Sequence, residues 1–92
     1  MTMTPSARLA QFAALLTFEQ IPEPVVRRTE DLMVDWFGSV IAGHGARPVE
    51  SLTRVALALG PADGPSEVVN ARRGSSAYLA AMANAAGAHA AQ

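Results

Sequence analysis

The chain contains no cysteine, so neither a disulfide framework nor a thiolate metal site can staple a small core. The same absence leaves the redox compartment unread, and a cytoplasmic setting fits. Aromatic side chains are scarce: three Phe, one Trp and one Tyr. Charge is scarce too. Charged residues make up 16% of the chain and the net charge is −1, which builds no basic face and argues against nucleic acid as a partner. No apolar run reaches the ~20 residues of a membrane span. Met1-Thr-Met-Thr-Pro5 lacks the basic-then-apolar order of a signal peptide. The expectation is a soluble cytoplasmic chain with neither nucleic-acid nor membrane partners.

What is present is mostly small and apolar. Half of the 92 residues are hydrophobic, and alanine supplies much of that half. A chain of this length forms one domain at most and buries only roughly 60–65% of its unfolded surface. The last stretch, Gly74 to Gln92, is an alanine-rich helix. Alanine is the best helix former, but a helix so poor in large apolar groups cannot build a core by itself. It suits the middle of something bigger.

Apolar spacing and Pro/Gly punctuation predict four helices and almost no sheet, near 6–16, 23–42, 48–59 and 76–90. The first has Leu9, Phe12, Ala13 and Leu16 on one stripe, with Ser6 or Thr4 as cap. Phe18 and Ile21, in the linker, are expected to tuck into the core. The second starts at Glu23-Pro24, which suits a first helical turn. Its broad stripe runs through Val26, Thr29, Leu32, Met33, Trp36, Phe37, Val40 and Ile41, with Gly43 as a left-handed cap. Trp36, the largest group there, is expected to be buried. Glu23–Arg27 and Arg27–Asp31 are i, i+4 pairs. The third helix turns Val49, Leu52, Val55, Ala56 and Leu59 inward and stops at Gly60-Pro61. Glu67-Val-Val69 reads as a short extended piece, too short to found a sheet. Asn70 to Gly74 reads as a turn, and Ser75 or Ser76 caps the fourth helix. No internal repeat is present.

Few residues could carry chemistry. His44 lies between glycines and reads as a solvated loop histidine. His89 has only Ala85, Ala86 and Met82 at helical spacing, so it lacks the companions a metal site needs. It is either a core or helix-end histidine, or the edge of a substrate site in a longer protein. Asp31 and Asp35 are i, i+4 carboxylates that could bind a metal or act as acid and base. With no third ligand nearby in sequence, a capping or pairing role is the plainer reading, with Asp35 partly buried. Arg72-Arg73, before a helix N-terminus, could hold an anion or be two exposed turn arginines. Gly43-His-Gly45 lacks the Lys-Ser/Thr of a phosphate loop. Ala80, Asn84 and Ala88, with Ala83, Gly87 and Ala91, recur every fourth residue as a close-packing face, interrupted by Asn84 and His89 as a membrane dimer face would not be.

These residues come in a telling order. Leu9-Ala-Gln-Phe-Ala13 is followed by Phe18-Glu-Gln-Ile-Pro22, Val25-Val26-Arg-Arg28, Leu32-Met-Val-Asp35-Trp-Phe-Gly38 and Ile41-Ala-Gly43. Glu67-Val-Val, the Arg72-Arg73 turn and Ala80-Ala-Met-Ala-Asn84-Ala-Ala-Gly87-Ala-His89 then follow. Over nearly its whole length the chain resembles the N-terminal part of the MmgE/PrpD family of 2-methylcitrate dehydratases and cis-aconitate decarboxylases. The resemblance implies the start of a large all-helical domain, accompanied in the family by a smaller α/β domain, in a homodimer. It implies dehydration, decarboxylation or epimerisation of small di- or tricarboxylates, without metal or organic cofactor. Proton removal beside a carboxylate needs an acid/base site with cationic partners.

In the family the fourth helix's histidine precedes an aspartate-rich segment; here Ala90-Ala91-Gln92 follows. Only His89 lines up near the family's site, as a substrate-binding residue, and no catalytic residue is assigned. The expectation is a single incomplete helical domain over 1–92, whether truncated or one piece of a split enzyme, inactive alone towards 2-methylcitrate, citrate or cis-aconitate. The alternatives are a small helical interaction module that binds a complementary chain, or an unrelated four-helix domain. Either way, helix 76–90 is expected to mediate self-association or partner binding, with Ala83 and Gly87 closest.

Overall fold

The computed structural model describes residues 2–90. Four helices form as the spacing predicts: α1 (Pro5–Leu15), α2 (Glu23–Ala42), α3 (Arg47–Leu59) and α4 (Ala77–Ala90). Two short strands, β1 (Ser66–Val68) and β2 (Arg73–Ser75), lie between α3 and α4. The architecture is mostly all-α. Among the described residues, no helix is long and apolar enough to cross a membrane. The chain divides into two compact units, Met1–Asp31 and Leu32–Gln92, and the division falls within α2.

In the first unit, Thr4 caps α1, its Oγ1 accepting from the Ala7 N–H at 3.1 Å. Pro5 follows at the first turn, where a missing N–H costs nothing. No residue of α1 is buried; Leu9, Phe12, Leu15 and Leu16 are all exposed. A 3-10 turn over Phe18–Gln20 follows, closed where the Thr17 N–H donates to Gln20 Oε1 at 2.9 Å. Phe18 does not tuck in; it is exposed, and Ile21 is half-buried. Of the two expected ion pairs, Glu23–Arg27 forms at 2.8 Å, with both side chains largely in water.

The second unit holds the core, and the core is small. Ala56, Val68, Ala80 and Ala83 form its centre, with Leu57, Ala71 and Leu79 packed around them. Alanine and glycine let backbones approach closely, so contact comes from proximity rather than bulk. Along α2 from Leu32 on, only Val40 is sealed; Leu32, Met33, Phe37 and Ile41 are exposed. Trp36 is 37% exposed, which corrects its assignment to the core. Asp35 is exposed rather than partly buried. On α3, Val49 and Ala56 are buried and Leu52 half-buried, while Val55 and Leu59 remain exposed. Gly43 is no left-handed cap. The positive φ belongs to Gly45, at 90°, and Gly43 serves a close approach instead.

The strands pair antiparallel, Ser66 with Ser75, Glu67 with Gly74 and Val68 with Arg73. The expected extended piece therefore finds a partner in what the sequence marks as a turn. A 3-10 turn over Val69–Ala71 and a left-handed Arg72, φ 54°, reverse the chain between them. Neither strand has the alternating large apolar residues that announce a hairpin. Side chains from outside the ladder hold it. Ser76 caps α4, its Oγ accepting from the Leu79 N–H at 3.2 Å. Ser75 is instead fully buried and donates from Oγ to the Ala56 carbonyl at 2.8 Å.

Candidate functional site

The best-built part of the molecule is the junction where α2, the hairpin and α4 meet. Asn84, on α4, presents its carboxamide to the hairpin backbone. Its Oδ1 accepts from the Val69 N–H and its Nδ2 donates to the Glu67 carbonyl, each at 2.9 Å. Asn70, one residue along, donates from Nδ2 to the Val40 carbonyl near the end of α2, also at 2.9 Å. Two amide side chains thus link α4 to the hairpin and the hairpin to α2. Both satisfy backbone groups that would otherwise be costly to leave unpaired.

The same junction closes on the other side through glycine. A Cβ on Gly43 would fall on the carbonyl oxygen of Gly87. A Cβ on Gly87 would lie 3.1 Å from the Val40 carbonyl oxygen and 3.4 Å from Asn70 Nδ2. Any side chain at Gly43 would therefore meet backbone rather than a flexible tip. Ala83 and Gly87, expected as the closest points of an association contact, are buried within this chain. Ala91, the last member of the small-residue face, lies outside the described residues.

His89 follows two residues later, in the last turn of α4, and is exposed. An imidazole there, on a helix fixed by the junction, can donate or accept a hydrogen bond with a ligand. His44 is exposed too, in the loop after α2. With Asn70 it borders two surface hollows. One, of about 210 Å³, is lined also by Val49, Glu50, Thr53 and Arg54. The other, of about 380 Å³, is lined by Phe37, Ile41, Val69 and Arg72. His89 lines neither. The structure thus brings His44 and Arg72 to one hollow.

Asp31 and Asp35 are both exposed on α2, and among the described residues no group of three His, Asp or Glu could hold a metal ion. Arg72 donates from Nε to Glu67 Oε2 at 3.1 Å, so its charge is already partnered. Arg73 is exposed on β2. The resemblance singles out His89, which the structure leaves exposed at the end of α4, whereas sequence spacing misses Asn70, whose role depends on a carbonyl thirty residues earlier. Asn84 is visible in the motif, and its work is structural.

Comparison with family models matches residues 7–92 to the MmgE/PrpD N-terminal domain. Comparison with curated proteins and with solved structures returns no significant match.

Proposed function

The chain belongs to the MmgE/PrpD family, and from that premise we propose that it serves as the N-terminal helical part of a lyase or isomerase of small di- or tricarboxylates, of the 2-methylcitrate dehydratase kind. In this reading it is a scaffold. The family chemistry uses no metal or organic cofactor, and this segment contributes one substrate-binding group, His89, while the acid/base groups come from elsewhere in the complete enzyme. The setting is the cytoplasm.

The observation that carries the scaffold reading is the set of large apolar side chains left in water. Phe12, Leu15 and Phe18 in the first unit, and Met33, Phe37 and Ile41 in the second, are all exposed. Exposed apolar groups in such number generally mark interfaces, and further helices of a larger domain would cover those of each unit. The same surface supports a second reading, an interaction module that self-associates or binds a complementary chain. A contact through helix 76–90 then uses the side carrying Tyr78, Ala81 and Ala85, which is exposed, because Ala83 and Gly87 are already packed inside.

Domain replacement tests the scaffold reading. Residues 7–90 replace the N-terminal domain of a 2-methylcitrate dehydratase, and dehydration of 2-methylcitrate by the chimera is measured. The expected outcome is a folded chimera that forms product, with His89→Ala weakening it. A folded but inactive chimera would overturn the reading. The isolated chain should turn over none of 2-methylcitrate, citrate or cis-aconitate, since one imidazole cannot both move a proton and neutralise several carboxylates. Product formed by the isolated chain and abolished by His89→Ala would show instead that it is an enzyme in its own right.

A further inference from the structure

We propose that Gly43 and Gly87 are positioning residues for His89: the backbone crossing they permit sets where α4 delivers that imidazole. The inference rests on the reading of His89 as a substrate-binding residue, and it assigns a task to two glycines that touch no substrate.

The crossing lies close to its target. His89 is two residues beyond Gly87, about 3 Å along a helix axis at 1.5 Å per residue. Less than one turn of helix separates the contact from the imidazole. A displacement of α4 at Gly87 is therefore passed on almost undiminished to His89.

The crossing also has no slack. A methyl at Gly43 meets the carbonyl group of Gly87, which is backbone. The end of α2 cannot simply retreat to make room. Its Val40 carbonyl is held by Asn70, the neighbouring Val69 N–H is held by Asn84, and Asn84 belongs to α4. These links form a closed ring: α2, Asn70, Val69, Asn84, α4, Gly87, Gly43 and back to α2. Enlarging one member forces the ring to open or α4 to move. Gly87 is a milder case, since its added methyl would meet Val40 and Asn70 at 3.1–3.4 Å. Gly38, on α2, has open space where its Cβ would be, and so supplies the matched control.

The experiment reads geometry and activity separately. The chain has no cysteine and two histidines. A single nitroxide can therefore be placed at Ser51→Cys, an exposed α3 position, in a His44→Gln background that leaves one imidazole signal. Paramagnetic relaxation of the His89 ring protons falls with the sixth power of distance. Gly43→Ala should change that rate, Gly87→Ala should change it less, and Gly38→Ala should leave it alone. In the active chimera, Gly43→Ala should lower kcat/KM by about 100-fold, the scale of a 1 Å misplacement, with no further loss in the His89→Ala background. Leu57→Ala, which trims the packing around Ala56 and borders neither hollow, should leave activity per folded molecule unchanged. Unchanged ring relaxation in folded Gly43→Ala and Gly87→Ala overturns the proposal whether or not the chimera works. A full additional loss in the His89→Ala background overturns it as well, because the crossing would then act through something else. A folded, inactive parent chimera sinks the functional reading alone, and the relaxation rates still decide whether the glycines place His89.

Discussion

Up to Asp31 the chain carries Leu9, Phe12, Leu15 and Phe18 and buries none of them, whereas from Leu32 onward it seals residues no larger than valine. Val40, Val49 and Val68 are almost wholly hidden, together with Ala56, Ala80 and Ala83. The difference teaches that side-chain size does not decide burial here. A large apolar group needs an opposing surface of comparable size. Alanine and glycine need only an approaching backbone, and that approach must be held. In the second unit three polar side chains hold it, Asn70, Ser75 and Asn84, each bonded to backbone at 2.8–2.9 Å. In the first unit the side-chain bonds span three or four residues and fix only local turns.

The largest effect should therefore come from removing a tie, not from trimming an apolar residue. Asn84→Ala removes the partners of the Val69 N–H, which is part-buried, and of the Glu67 carbonyl, which is exposed and can turn to water, a combined cost of about 2–3 kcal/mol. Urea unfolding followed by helical circular dichroism measures it. A loss below that of an exposed apolar truncation would break the comparison, showing that the small-residue core holds without its polar ties.

The same contrast explains what the sequence makes legible. All four helices are readable, because Pro24, Pro48, Gly60 and the apolar spacing mark them locally. The hairpin is only half readable. Glu67 to Val69 looks extended, but nothing in Arg73-Gly74-Ser75 shows that Ser75 will reach a carbonyl nineteen residues back. The buried stripe of α2 is overread, since periodicity says which residues share a face but not whether anything covers that face. For the candidate site, His89 and Asn84 come from the motif. The crossing of Gly43 over Gly87 is legible at Gly87, as part of a small-residue face, and not at Gly43, which resembles an ordinary helix stop.

Trp36→Ala sharpens the comparison next. A fully buried tryptophan would cost about 3–5 kcal/mol. At 37% exposure only part of the ring leaves water, and the expected loss is about 1–2 kcal/mol by the same transfer reasoning. Chemical denaturation in the isolated chain and in the chimera should differ, with the larger loss in the chimera if further helices cover the ring. Ser75→Ala follows at about 1 kcal/mol. It is milder than Asn84→Ala because the Ala56 carbonyl keeps a second donor, the Gly60 N–H at 3.0 Å.

Phe12→Ala should have the smallest effect. Phe12 is 63% exposed on a helix with no buried residue, and substitutions at such positions usually stay within about 0.5 kcal/mol. Thermal unfolding of the dilute chain should barely shift. A larger loss would mean that something covers α1 in solution, and protein concentration tells what. If a second copy covers it, the parent chain's melting temperature rises with concentration, because association stabilises by mass action, and Phe12→Ala flattens that rise. If the cover comes from within the chain, the loss is the same at every concentration. Light scattering across the same range reports the mass directly. A monomeric chain that still loses more than 1 kcal/mol would mean that the first unit protects its large side chains after all, and the contrast with the second unit would fail at its clearest point.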